Sequence, residues 1–345
     1  MKITDPLDLL LRPVALGDLA ALERIAAATE HGISSLPNDR AKLRVRIERS
    51  MASFASQDAA SGEETYLFVL EDSSAFGGKG VIVGTSGIAA SAGFHDRFYS
   101  YRNEFVVHAS NALGVSQRMH TLHLCHDLTG CTLLTSFYID PAYASCANGM
   151  AAQLLSRARL LFIAQHAERF NDRIAAESPG LTDDAGQQSP FWDAVGRRFF
   201  DMDYPAAETV TGGRSKAFIA DLMPHSPIYV PLLPEAAQWA IGQLHPVAEL
   251  PFAILQDEGF DADTYIDIFD GGPTVEASLG LLRSVRHARL IETVKDAGWY
   301  IAVNTRLDGF RAVLAELPAA AEDMSGWLVT PVNLEHHTEH AGAQP

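Results

Sequence analysis

Thr132-Leu133-Leu134-Thr135-Ser136-Phe137-Tyr138-Ile139, followed by Asp140-Pro141, a loop over Ala144–Asn148, and then Gly149-Met150-Ala151, is the stretch that decides the fold class. Its first part reads as a strand, rich in β-branched and aromatic residues. Gly149-Met150-Ala151 opens a helix with Leu154, Leu155, Ala158, Leu161 and Phe162 on one stripe. A strand follows at Arg173–Glu177, then a helix start at Ser189-Pro190-Phe191-Trp192 with proline in the first turn. Strand, helix, strand, helix predicts an α/β fold: a mixed sheet with helices on its faces.

Upstream, Leu11-Arg12-Pro13-Val14 reads as a short strand. Asp18 is placed to cap a helix carrying Leu19, Leu22, Ile25 and Ala26 on one face. A second helix starts near Asn38 or Asp39, with Leu43, Ile47 and Met51 in register. Tyr66–Leu70 and Val81–Gly84 read as neighbouring strands across a turn at Gly77-Gly78. A further strand at His120–His126 joins Thr132–Ile139 through the turn Asp127–Gly130. Downstream, the apolar Pro251–Leu255 helix leads through Gly259 to a strand at Tyr265–Phe269. Phe191–Phe200 has a similar helix–glycine–aromatic order, which hints at an internal duplication or an added lobe. A helix over Leu281–Val294 and strands at Tyr300–Val303 and Phe310–Leu314 are expected, then a polar tail from Asn333.

The bulk properties bound the function. The chain has 345 residues, 47% of them hydrophobic, enough for a substantial core. A formal net charge of −17 argues against a nucleic-acid surface, which needs clustered Lys and Arg. No apolar run approaches the roughly 18 residues that span a bilayer, so no membrane partner is expected. Cys125, Cys131 and Cys146 lack CxxC spacing and read as reduced thiols, and Asp5 and Asp8 argue against a signal peptide. The expected location is cytoplasmic.

Several residues carry chemistry. The N-terminus of the helix at Gly149 offers backbone N–H groups and a positive dipole end, suited to phosphate. Gly242-Gln243-Leu244-His245-Pro246 sets a histidine on a proline-flanked loop. Histidine is suited to exchange a proton near neutral pH, as acid or as base, and the residues leave both roles open. Asp267 and Asp270 are carboxylates that a cationic substrate would seek, although an Asp-Gly turn is the more ordinary use of Asp270. The Glu335–His340 cluster reads as a solvated tail, and no metal site is expected.

Cys146-Ala147-Asn148-Gly149-Met150-Ala151 is similar to the Gln/Arg-x-x-Gly-x-Gly/Ala phosphate loop of GNAT-type acyl-CoA acyltransferases, with Cys146 where that loop has a long polar residue. Over most of its length, Leu11 to Leu314, the chain resembles the arginine N-succinyltransferase family (arginine and ornithine succinyltransferase, alpha-type subunit). The ordered matches include Leu11–Val14, Ser35-Leu36-Pro37, Arg46–Arg49, Phe68–Asp72, Val107–Ser110, His126–Gly130, Ser189–Trp192, Gly196–Phe200, Lys216–Ala220, Gly242–Pro246 and Tyr265–Pro273. The resemblance implies a GNAT-like acyl-CoA N-acyltransferase core over 1–225 and a C-terminal lobe over 226–345, which contributes the His245 loop and the Tyr265–Pro273 segment.

It also implies transfer of succinyl from succinyl-CoA to the α-amine of L-arginine in arginine catabolism, for which Asp267, Asp270 or Glu104 could hold the guanidinium and Arg102 or His108 the succinyl carboxylate. His245 is then the proton donor, Phe137 and Ile139 are CoA contacts, and Asn148, Gly149 and Ala151 form the phosphate loop. Succinyl-CoA is a co-substrate, with no permanently bound cofactor. Partners are L-arginine and further copies of the chain or a paralogous subunit. A structural or regulatory paralogue in a mixed oligomer, or an enzyme acting on ornithine, remain alternatives.

Overall fold

The computed structural model describes residues 8–28, 36–58, 61–74, 80–144, 149–183, 186–211, 222–317 and 324–332. Ser35, Gly77-Gly78, Cys146, Asn148, Lys216–Ala220 and the Glu335–His340 cluster, all singled out above, lie outside the described residues.

The strands are β1 (Leu9–Pro13), β2 (Thr65–Asp72), β3 (Val81–Ala89), β4 (Ser100–Ser110), β5 (Val115–Cys125), β6 (Thr132–Ile139) and β7 (Arg173–Glu177). They continue with β8 (Ile228–Tyr229), β9 (Asp261–Ile266), β10 (Pro273–Ser278), β11 (Arg289–Leu290), β12 (Gly298–Val303), β13 (Ala312–Leu317) and β14 (Leu328–Pro331). All belong to one 14-stranded sheet, in the order β11-β14-β12-β13-β1-β2-β3-β6-β7-β10-β9-β4-β5-β8. Pairing is antiparallel apart from β6 with β7, which run parallel. This is the mixed α/β sheet expected from the sequence.

Helices α1 (Leu19–Ala28) and α2 (Arg40–Ala55) cover one face of the central strands. Asp39 caps α2 by accepting the Lys42 N–H at 2.9 Å. Their stripe of Leu22, Ile25, Leu43 and Ile47 packs on Leu67, Val69 and Ile82. Helix α3 (Met150–Gln165) covers the other face and is buried from Met150 to Ile163. It is buried on nearly all sides because the sheet lies on one side and α5 (Glu249–Glu258), which follows α4 (Pro190–Ala194) in the chain, closes the other. Arg157 of α3, buried, pairs with Asp257 and Glu258 of α5. Between sheet and α3, Phe54, Tyr66, Phe68, Phe162 and Phe310 meet edge to face, with centroids 5.0–5.7 Å apart.

Several local expectations change. Asp18 is not a simple helix cap: its carboxylate takes the Arg12 guanidinium at 2.8 and 2.9 Å and the Ala15 N–H at 2.8 Å. The continuous helix over Leu281–Val294 is absent. Short turns, a four-residue helix at Arg283–Arg286 and β11 occupy the segment, so Leu282 and Ile291 are buried singly and not as a stripe. β4 was not expected as a strand because its outer half, from Phe105 to Ala109, is largely exposed and shows no one-sided apolar alternation. Phe191–Phe200 holds two short helices where Glu249–Glu258 is a single ten-residue one, so the two segments do not share an architecture. Strands from beyond residue 226 enter the sheet on both flanks of the N-terminal strands: β12 and β13 beside β1, and β9 and β10 between β7 and β4.

Candidate active site

The parallel ladder between β6 and β7 runs from Thr132 opposite Ile174 to Leu134 opposite Ala176. Past that point β6 continues to Ile139, whereas Ser178 stays with β10, donating its N–H to Pro273 O at 3.0 Å. Among the described residues, the β7-side edge of 135–139 therefore has no strand partner. On its other side β6 pairs with β3, and the register shifts between Thr85 and Gly87. The extra residue sits at Ser136, whose φ of 55° is in the left-handed region that a side chain rarely adopts. Thr85 Oγ1 donates to the Ser136 carbonyl at 2.9 Å and helps fix this bulge. The open edge thus presents the backbone of 135–139 to a gap between two strands, while the half-buried Phe137 and Ile139 side chains pack against the core.

The far wall of the gap is built from segments distant in sequence. His245 N–H donates to Pro179 O at 2.9 Å, and Gly242 N–H donates to Gly271 O at 2.8 Å. Asp270, 6% exposed, accepts the Gly180 N–H through Oδ2 and the Gly272 N–H through Oδ1, each at 2.8 Å. Asp267 Oδ1 accepts the Phe269 and Asp270 N–H groups at 2.6 and 3.3 Å. Gly271, at φ 71°, lies against the Phe191 ring, where a Cβ would sit 2.8 Å from the ring carbon. The His245 ring is half-buried, and its Nδ1 lies 3.4 Å from the Val247 N–H. The structure therefore gathers His245, Asp267 and Asp270 into one wall, in which both carboxylates accept backbone N–H groups.

Helix α3 follows β6 at the end of the gap. Gly149 precedes it in the left-handed conformation, φ 75°, with no side chain capping the helix. The first-turn N–H groups and the positive helix pole make this end a fitting seat for phosphate. Gly149 and Ala151 are both buried there. Among the described residues, no group of three or more His, Cys, Asp or Glu side chains is arranged to hold a metal ion.

The residues expected to hold the acyl carboxylate lie elsewhere. Arg102, on β4, contacts Asp127 through Nε at 3.1 Å and through Nη2. Burial raises the Asp127 carboxyl, but the Arg102 hydrogen bond and charge outweigh it and hold the carboxyl below its ordinary value. His108 is exposed on the outer part of the β4–β5 hairpin, 3.2 Å from the Tyr229 hydroxyl. Glu104 sits 3.3 Å from His123 on the same hairpin. The cations beside the gap are others. Arg46 of α2 donates to Ser136 Oγ, and the guanidinium of Arg159, on α3, stands 5.6 Å from the Phe137 ring centroid. The available signal was a charged residue inside each helix's inward row: Arg46 among Leu43, Ile47 and Ser50, and Arg159 among Leu155, Ala158 and Phe162.

An acyl-CoA can lie along an open strand edge with its phosphates at a helix N-terminus, and this mixed sheet supplies both at one end of β6. The class so defined is the GNAT-type acyl-CoA N-acyltransferase. Within it, the chain belongs to the arginine N-succinyltransferase family: residues 9–284 match the family model described as Arginine N-succinyltransferase beta subunit. It is 49% identical over 314 residues, 90% of each chain, to Arginine N-succinyltransferase subunit alpha of Pseudomonas aeruginosa. It is 39% identical over 340 residues to Arginine N-succinyltransferase of Escherichia coli, covering 97% of this chain and 95% of that one. The solved structure of arginine/ornithine succinyltransferase subunit AI from Pseudomonas aeruginosa superposes with a TM-score of 0.83 at 43% identity, covering 95% of this chain and 100% of that chain.

Proposed function

We propose that this chain transfers a succinyl group from succinyl-CoA to the α-amine of L-arginine, with His245 as the proton donor to the departing CoA sulfur. The neutral amine attacks the thioester carbonyl carbon, a C–N bond forms, and the oxygen takes the negative charge. Collapse breaks the C–S bond, the amine proton passes to solvent or a base, and the thiolate leaves as thiol once protonated. Direct attack needs no acyl-enzyme and no resident cofactor. Buried Cys125 and Cys131 take no part; burial pushes both thiols above their ordinary value.

The observation that carries this reading is the gap itself. Phe137 and Ile139 line one wall, and the loop of His245, hung on Pro179 O, belongs to the other. Phe137, Ile139, Gly149 and Ala151, with Asn148, are proposed as the CoA contacts. Residues 1–225 are read as the acyl-CoA-binding part, and 226–345 as the part that brings the histidine. Two reduced, buried cysteines favour a cytoplasmic enzyme.

The test is release of free CoA from succinyl-CoA in the presence of L-arginine, with the product's mass and site of acylation determined. No CoA release by the purified chain, alone or with a paralogous subunit, would overturn the reading. The solved relative's name includes ornithine, so that amine belongs in the same assay. A higher kcat/KM for ornithine would change the substrate and leave the reaction class intact. The Pseudomonas aeruginosa relative is named as a subunit. Activity appearing only on addition of a second subunit would make the working form a mixed oligomer.

A further inference from the structure

The β6 bulge has a guanidinium on each face of the sheet. From the α2 face, half-buried Arg46 donates to Ser136 Oγ. From the α3 face, Arg159, 2% exposed, reaches the Gly87 and Thr135 carbonyls, both at 3.4 Å. Its other acceptors are Ser156 O at 3.2 Å and Ser156 Oγ at 3.3 Å. All four distances are longer than the ~2.7–2.9 Å a charged donor makes to an ionised acceptor, and none of the acceptors is charged. Arg157, two residues earlier and equally buried, has Asp257 and Glu258. Among the described residues, the same helix thus neutralises one buried guanidinium with carboxylates and leaves the other on neutral oxygens. Burial lowers the Arg159 pKa to about 9, and both guanidinium groups stay cations at neutral pH. Opposite the bulge on β3, the fully buried Ser86 hydroxyl has no hydrogen-bond partner among the described residues.

A site with two cations around one strained, hydroxyl-bearing bulge is arranged for an anion. It adjoins Phe137, where the acyl-CoA is proposed to lie. We propose that Arg46, with Arg159 behind it across the sheet, binds the distal carboxylate of the acyl donor and so selects a dicarboxylic monoacyl-CoA over a neutral acyl-CoA of the same length. This rests on the succinyltransferase reading. The succinyl carboxylate lies two methylenes beyond the thioester carbon, so a thioester held at the bulge carries its charge past Ser136. Arg46, as the more accessible of the two, makes the contact. Arg159 is a positioning residue that holds the bulge carbonyls and adds positive potential.

The test compares succinyl-CoA with butyryl-CoA, which has the same chain length and a methyl in place of the carboxylate. Both are assayed with L-arginine by CoA release, in the wild type, Arg46→Met and Arg46→Lys. Methionine suits the apolar row of α2. The ratio of kcat/KM for succinyl-CoA over butyryl-CoA should fall by about 100-fold in Arg46→Met, the loss expected on removing a charge-assisted contact shielded from water. Lysine keeps the charge but loses the fork, so Arg46→Lys should lower the ratio by about 3- to 10-fold. An equal fall for both donors, or an unchanged ratio, would overturn the proposal and leave Arg46 a structural residue. If Arg46→Met does not fold, an unchanged ratio in Arg46→Lys overturns it on its own. A wild type that uses both donors equally defeats this inference while leaving the acyltransferase intact; a wild type inert with both defeats the functional reading as well.

Discussion

Asp270 tests whether the wall carrying His245 is built by backbone contacts or by substrate. Its carboxylate accepts the N–H groups of Gly180 and Gly272, both at 2.8 Å, in a 6% exposed position. Pro179, next to Gly180, accepts the His245 N–H at 2.9 Å. Removing the carboxylate in Asp270→Ala leaves those two buried donors without it. At about 1.5–3 kcal/mol for each charge-assisted bond, the expected cost is about 3–6 kcal/mol, a large part of the ~5–15 kcal/mol of a typical domain. Asp270→Asn keeps one acceptor oxygen and turns an NH2 toward the other donor, so it should cost about half as much, roughly 1.5–3 kcal/mol.

Function should fall with the staple. A displacement of about 1 Å in a catalytic group can cost about 100-fold, so kcat in Asp270→Asn should drop by about 10- to 100-fold. KM for arginine should change by less than about threefold, because no uniform binding contact is lost. Urea unfolding gives the stability change, and CoA release gives kcat and KM. The refuting result is the opposite split: unchanged urea midpoint and unchanged kcat, with a tenfold or greater rise in KM for arginine. That outcome would make Asp270 a guanidinium contact, the other use its sequence context allows.

His245→Ala should lower kcat by about 10²- to 10⁴-fold while CoA still binds, read by CoA titration alongside turnover; near-normal kcat would remove the proton-donor role. Asp127, whose folded carboxyl is held below its ordinary value, stabilises the fold fully above about pH 4, and that contribution is lost as pH falls through the lower folded value. Acid unfolding of Asp127→Asn should therefore be less steep than that of the wild type in this window, and identical curves would contradict it. Because burial raises both thiols, iodoacetamide at pH 8 should label Cys125 and Cys131 slowly in the folded protein and quickly in urea, as peptide mass spectrometry will report. Phe162→Ala should cost about 3–5 kcal/mol, measured by urea unfolding, because Phe162 is fully buried among the aromatic rings of the core.

Much of the fold was legible because local patterns and tertiary burial agree. Arg173–Glu177 is a strand, α2 buries Leu43 and Ile47, Asp39 caps it, and α3 starts just after Gly149. The misses have two causes. The outer parts of β4 and β5 extend beyond their neighbours: β9 pairs only with Tyr101 and Arg102, and β8 only with Thr121 and Leu122. A ribbon with solvent on both faces carries no one-sided apolar signal to read. Around Leu281–Val294, apolar residues at near-helical spacing serve separate contacts, and spacing alone cannot tell that from a stripe.

The site was legible to a different depth at each wall. The β6 wall and the start of α3 are contiguous in sequence, so one stretch displayed the strand, the helix and the glycine between them. The His245 wall is not contiguous. Gly180, one partner of Asp270, lies 90 residues away from it, and Pro179, the partner of the His245 N–H, lies in the same segment after β7; both meet the wall through backbone groups. Backbone partners leave no side-chain signature, so an aspartate that fastens two loops looks the same in sequence as one that awaits a guanidinium. Arg46 and Arg159 are equally silent in sequence. Each reads as one polar residue on a helix, and only the sheet between α2 and α3 brings Arg46 to Ser136 and Arg159 to the neighbouring Thr135 carbonyl. The insertion of β9 and β10 between β7 and β4 then has a functional consequence. It ties the His245 loop to the same sheet that carries the bulge, so the two walls of the gap are held by one continuous ladder. The proton-donor role proposed for His245 would then depend directly on the Asp270 carboxylate that joins Gly180 to Gly272.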